Sequence, residues 1–179
     1  MTQVASVYAQ ALYSLAKEEG SSADILEQLK ALNESFHTEP DYLRLLAAPN
    51  LPKDERCAIL DEGFRGKVHP HVLNFMKILT GRGYMRYFSD CFKAYRAEYN
   101  RDNGILEVCA VTAVPLSGGQ TARLTEKLGR ITGKAVMLEN RIDPACLGGM
   151  RLDYDGKRVD DTVAHRLESI SLLLKNTVL

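Results

Sequence analysis

An α+β fold is predicted: an N-terminal bundle of six helices over residues 1–104, then a small α/β domain over residues 105–179 with a short sheet and two helices. Three observations predict it. Apolar residues recur at helical spacing as far as Arg101, broken by proline and glycine at intervals that suit short helices. After Asn103-Gly104 the texture changes to β-rich runs and polar/apolar alternation. Between two such runs sits Asp155-Gly156, the strongest short hairpin signal, because a type I′ turn needs φ > 0 at both central residues.

Residues 3–19 read as the first helix, with Thr2 as its cap and Gly20 as its stop. Val4, Tyr8, Ala11 and Leu15 make one apolar stripe, and Ala5, Ala9, Leu12 and Ala16 make another. Only a narrow strip of Gln3, Ser6, Gln10, Ser14 and Lys17 stays polar, although a surface helix in a small bundle needs one apolar face. A second helix spans about Ala23 to Thr38, with Ile25, Leu29, Leu32 and Phe36 inward. Pro40 starts a short third, ended by Pro49, and Pro52 a fourth that presents Cys57, Ile59, Leu60 and Phe64. Pro70 opens the fifth at a position where its missing N–H costs nothing. Val72, Leu73, Phe75, Met76, Ile78 and Leu79 make that helix as over-apolar as the first. The sixth runs from about Met85 to Arg101, with Phe88, Phe92, Tyr95 and Tyr99 at helical spacing.

Beyond Gly104, the run from Ile105 to Val114 suits a strand covered on both faces, ended by Pro115. Ser117 caps a helix through Leu124, Leu128 and Ile131, stopped by Gly133. Val136, Leu138 and Ile142 alternate with Glu139 and Arg141 in a second strand, which Asp143-Pro144 stops. Gly148-Gly149 allows a sharp bend or a close backbone approach. Met150, Leu152 and Tyr154 form the third strand and Val159 sits on the return strand. Asp160 precedes Thr162, which caps a leucine-rich last helix.

At 179 residues the chain can bury one large or two small cores. Lys plus Arg and Asp plus Glu are 23 each; residues 1–104 hold 13 basic and 14 acidic groups, the remainder 10 and 9. Without charge asymmetry, a nucleic-acid or anionic-membrane role lacks its electrostatic driving force. Four scattered cysteines with no CxxC pair suit a reduced, intracellular setting. No apolar run approaches the ~20 residues that span a bilayer, and no signal sequence is read at the start, so membrane association is expected only through a partner.

Candidate chemistry is weak. Gly129 to Lys134 has three residues between its glycines where a phosphate loop needs four, and the helix precedes the loop; a helix C-terminus is the better reading. His69-Pro-His71 does not share a helix face and reads as a helix start. Asp153 to Gly156 lacks the remaining ligands of a calcium loop. Asp160-Asp161 suits a helix N-terminus. Cys57, Cys91 and Cys109 lie on apolar faces; Cys146 alone stands in an irregular turn, with no evident base beside it. No cofactor or metal is expected.

What remains is apolar surface to be covered. Each exposed apolar side chain forgoes roughly 1.5–3 kcal/mol. One reading makes the first and fifth helices simply central. The other opens between them a groove for an incoming amphipathic helix. In the last helix Val163, Leu167, Ile170 and Leu174 satisfy one face, while Leu172, Leu173, Val178 and Leu179 are left over.

These residues carry a resemblance over nearly the whole chain. Tyr8-Ala9-Gln10-Ala11-Leu12, the Asn74–Gly83 segment, Ile142 to Gly149, and Val159 to Leu167 are similar to motifs of the delta subunit of bacterial F-type ATP synthases, related to the mitochondrial oligomycin-sensitivity-conferring protein. Asp161-Thr162 stands where that family usually has Gly-Ser, and Cys146 where a larger aliphatic residue is common. The resemblance implies a six-helix domain gripping the N-terminal helix of an alpha subunit of the catalytic head. It further implies a C-terminal domain binding the peripheral-stalk b subunits. The whole would be a non-catalytic stator clamp in proton-driven ATP synthesis, at the cytoplasmic face of the bacterial cell membrane and peripheral to it. Carried onto matching positions, the alpha-subunit groove would use Val7, Tyr8, Ala11 and Leu15 with Phe75, Ile78 and Leu79, and the b contact Leu172, Leu173, Val178 and Leu179. Asp143, Pro144, Gly148, Gly149, Asp160 and Thr162 would be the structural motif. A generic helical adaptor and a cysteine-dependent enzyme working through Cys146 are the rival readings.

Overall fold

A computed structural model of the chain describes residues 3–48 and 51–168. Six helices come first: α1 (Gln3–Glu18), α2 (Ser22–Thr38), α3 (Pro40–Ala47), α4 (Lys53–Phe64), α5 (Pro70–Gly81) and, after a 3-10 turn at Met85–Tyr87, α6 (Phe88–Asp102). Then follow β1 (Ile105–Thr112), α7 (Gly118–Thr132), β2 (Ala135–Ile142), a 3-10 turn at Pro144–Cys146, β3 (Met150–Tyr154) and β4 (Lys157–Asp160). Residues 163–168 begin a last helix. The fold is thus α+β, a helical bundle ahead of a small sheet domain. Its two compact units part between Tyr99 and Asn100, inside α6, whereas composition placed the boundary after Gly104. The Asn100 amide donates to Glu107 Oε1 at 2.7 Å, tying the last turn of α6 to β1.

The helical unit closes around aromatic rings and small residues. Ala5, Ala9 and Ala16 are fully buried, so neighbouring helices approach α1 along its alanine stripe. Tyr13 meets Tyr95 edge to face at 5.4 Å, and Phe36 meets Phe88 at 5.0 Å. The enclosed Tyr95 hydroxyl donates to Ser22 O at 3.1 Å, and burial holds its pKa far above the usual phenol value. Arg56 on α4 donates from Nη1 to Leu46 O at 3.2 Å and Thr80 O at 3.1 Å, answering carbonyls near the C-terminal ends of α3 and α5.

In the second unit the strand order is β2-β1-β3-β4. β1 and β2 are parallel, joined through α7, while β1–β3 and β3–β4 are antiparallel. Asp155 and Gly156 both have positive φ, as the type I′ turn requires. The expectation for β1 needs correction: Leu106, Val108 and Ala110 are buried but Ile105, Glu107 and Cys109 only half so, and both faces are covered only near Val111 and Thr112. Two of the apolar positions read as core-facing are exposed, Ile131 on α7 at 72% and Ile142 at the end of β2 at 51%. The inward place near the end of β2 goes to Asn140, which shares the parity of Val136 and Leu138. Its amide donates to Ala110 O and Thr112 Oγ1, both at 2.9 Å, and its oxygen accepts from Leu116 N at 2.9 Å. A branched aliphatic side chain there would leave three polar groups without these partners.

Candidate functional site

Helices α1 and α5 lie side by side and are pinned at both ends. At one end Glu19, just past α1, is 2.8 Å from His71 Nε2. At the other, Tyr8 meets Tyr84 edge to face at 6.1 Å. The two helices therefore run antiparallel. At about 100° per residue, Val4, Ala11 and Leu15 fall beside Tyr8 and Glu19 on the flank of α1 that adjoins α5, with Val7 one step further out. On α5, Ile78 lies about two turns beyond His71 on the same side. Lys77 marks the other flank, its Nζ 2.7 Å from Asp61 of α4.

Burial settles which stripe of α1 is free. The alanine stripe is inward, while Val7 is 62% exposed, Leu15 49% and Ile78 50%, with Ala11 also exposed and Tyr8 half-buried. Phe75 and Leu79 do not share this surface. Both are enclosed in the core, Phe75 with its ring 6.4 Å from Phe88, because they sit on the same inward arc as Val72 and Met76. Of the three α5 residues expected in the groove, Ile78 alone faces out. The result is a shallow apolar strip of Val7, Ala11, Leu15 and Ile78 with Tyr8 at its floor. The ties at its ends, Glu19–His71 and Tyr8–Tyr84, carry no periodic sequence signal.

The motif residues of the second unit hold one loop together. Asp143 accepts from Ala145 N at 3.0 Å while Pro144 occupies the first position of the 3-10 turn. Gly148 O accepts from Val163 N at 3.0 Å, and Met150 O from Asp161 N at 3.1 Å. Gly149 has φ +76°, and a Cβ there would strike Asp161 O and come within 3.1 Å of Thr162 Cα, so the two segments approach too closely for any side chain. Thr162 is 3% exposed; its hydroxyl donates to Asp160 Oδ1 at 2.7 Å and accepts from His165 N at 3.2 Å, capping the last helix. The Thr162 hydroxyl, then the Thr162 N–H, hold the Asp160 carboxyl below the usual carboxylate range. Leu172, Leu173, Val178 and Leu179 lie outside the described residues. Val163 and Leu167, expected inward on the last helix, are 42% and 55% exposed.

The discarded chemistry has structural explanations. Gly133 is the left-handed C-cap of α7, its N–H bonded to Gly129 O at 2.8 Å. His69 caps α5, its Nδ1 accepting from His71 N at 3.3 Å. Cys91 is buried and its thiol is pushed up to about 12 by desolvation, which makes it a poor nucleophile. Cys146, contrary to expectation, shares a cleft of about 170 Å³ with His165, Asp160 and Glu168, but is itself 5% exposed. Asp160 and Thr162 in that cleft are committed to the loop bonds above. Among the described residues no group of three or more His, Cys, Asp or Glu is placed to hold a metal, and no helix is long and apolar enough to cross a membrane.

Comparison with known proteins decides the family. The model for the ATP synthase delta (OSCP) subunit matches residues 4–174. The chain belongs to that family. Among curated relatives, the ATP synthase subunit delta of Alkaliphilus oremlandii is 30% identical over 167 residues, 93% of either chain. That of Clostridioides difficile is 28% identical over 176 residues, covering 98% of this chain and 97% of its own. In fold, one chain of the cryo-EM structure of the Toxoplasma gondii mitochondrial ATP synthase hexamer matches with TM-score 0.79 at 16% identity, over 97% of this chain and 98% of that one. Membership makes the protein a structural, non-catalytic, stator-type subunit of ATP synthase, which displaces both the cysteine-enzyme and the unrelated-adaptor readings.

Proposed function

We propose that the protein links the catalytic head of a bacterial F-type ATP synthase to its membrane sector, resisting torque while proton flow drives ATP synthesis. In this reading the α1–α5 strip takes the N-terminal helix of an alpha subunit, and the C-terminal unit, through Leu172, Leu173, Val178 and Leu179, takes the b subunits. The protein sits at the cytoplasmic face of the cell membrane without inserting into it, binds no nucleic acid and needs no cofactor. The observation that carries the first contact is the exposed Val7, Ala11, Leu15 and Ile78 strip on two helices fixed to one another at both ends. An incoming helix presenting residues at i, i+3, i+4 and i+7 would bury it.

Titration with an alpha-subunit N-terminal peptide tests the reading. Ala11→Glu places a charge where the peptide's apolar face must lie, and is expected to weaken binding by a factor on the order of 100. Gln10→Glu, on the polar strip of α1, should leave it unchanged. Equal affinity for wild type and Ala11→Glu would remove the groove from the reading.

A further inference from the structure

The two ends of the α1–α5 strip carry opposite charge. Arg82 follows Ile78 by one turn as the C-cap of α5, and Arg86 stands exposed in the next turn with its guanidinium 4.7 Å from the Tyr87 ring centroid. Both lie at the end marked by the Tyr8–Tyr84 contact. At the opposite end Glu18 is exposed on the Ala11 side of α1, and Glu19 stands against His71. Lys77 is turned toward α4 and bound to Asp61. Lys17 falls on the polar strip of α1, and Asp90 lies at the start of α6. From Tyr8 to Glu18 the rise of α1 is about 15 Å, so the sign of the field reverses within about three turns of a bound helix.

We infer that the strip sets the orientation of the helix it binds by charge order: the acidic end lies over Arg82 and Arg86, and the basic end over Glu18. Rim charges of this kind fix register and partner choice more than they add affinity. The inference rests on the docking proposed above, and supplies what an apolar strip alone lacks, a means of telling one end of its ligand from the other.

The test uses the intact, isotope-labelled chain and three synthetic amphipathic peptides that share one apolar stripe and carry a nitroxide at the N-terminus. One has acidic residues near that terminus and basic residues about ten positions later; the second has the order reversed; the third has glutamine at all these sites. The first peptide is expected to broaden amide signals around Arg82–Arg86, and the second those around Glu18, at low salt. Arg82→Glu/Arg86→Glu/Glu18→Lys should exchange the two patterns. Binding by all three peptides with broadening that ignores charge order overturns the inference and leaves the docking reading standing. No broadening along α1 and α5 with any peptide removes the docking reading, and the charge rule with it.

Discussion

Thr162 does two jobs with one hydroxyl, capping the last helix through His165 N and donating to Asp160. Its removal therefore has a pH signature. The folded-state pKa of Asp160 is depressed, so its contribution to stability is present above the ordinary Asp value and is lost as pH falls through the lower, folded value. Asp153, held down by its bond to Arg158, and Asp61, held down by Lys77, act in the same direction. Thermal melts should thus be nearly flat from neutrality to the upper edge of the carboxylate range and fall steeply below it. Thr162→Ala should cost about 1 kcal/mol at neutral pH. That gap should narrow in acid, where protonated Asp160 no longer favours the loop. A gap that stays constant across the range would show that the hydroxyl acts as a cap alone. The requirement for a side-chain-free residue at Gly149 arises from the same loop, because Asp161 O and Thr162 Cα fill the space that a Cβ would occupy.

At the scale of elements, α1 decides how the bundle is built and what it leaves open. Its alanine stripe admits close neighbours, and its Val4–Leu15 stripe stays outside the enclosed core, with only Tyr8 packed against it. Ala9→Leu should destabilise by about 1–3 kcal/mol, by overpacking a site with no exposure. Ala11→Leu, on the open stripe, should change stability by no more than about 0.5 kcal/mol in chemical denaturation. Similar losses at both positions would mean that the two stripes are equally enclosed. The surplus of apolar residues on α1 and α5 was legible in the sequence because periodicity counts faces. Which face turned outward was not, since both stripes of α1 repeat with one period. Residue size held the missing signal, because alanines permit the closest helix approach. On α5 the family resemblance placed Phe75 and Leu79 in the groove, but both are enclosed and Ile78 is the one large apolar side chain the helix leaves exposed. In β2, Asn140 takes a position of inward parity that the apolar pattern of Val136, Leu138 and Ile142 did not mark. Its three bonds to β1 and to the chain before α7 explain why it is there.

At the scale of the molecule, the two units have separate cores, divided at Tyr99/Asn100, and the chain has no net charge. Contacts made by such a protein depend on apolar surface more than on long-range attraction. The second unit exposes Leu147 at 67% and Leu167 at 55%. Deleting Leu172 to Leu179 should then abolish co-precipitation of b. The damage should stop there, because a domain with its own core does not depend on the far end of the chain for folding. Far-ultraviolet circular dichroism should keep the signal of α1 to α6, and the alpha-subunit peptide should bind with unchanged affinity. Loss of both partners together would mean that the two units act as one, and would undercut the assignment of separate contacts to each. Retention of b by the truncated chain would move the stalk contact onto the sheet and its exposed loops.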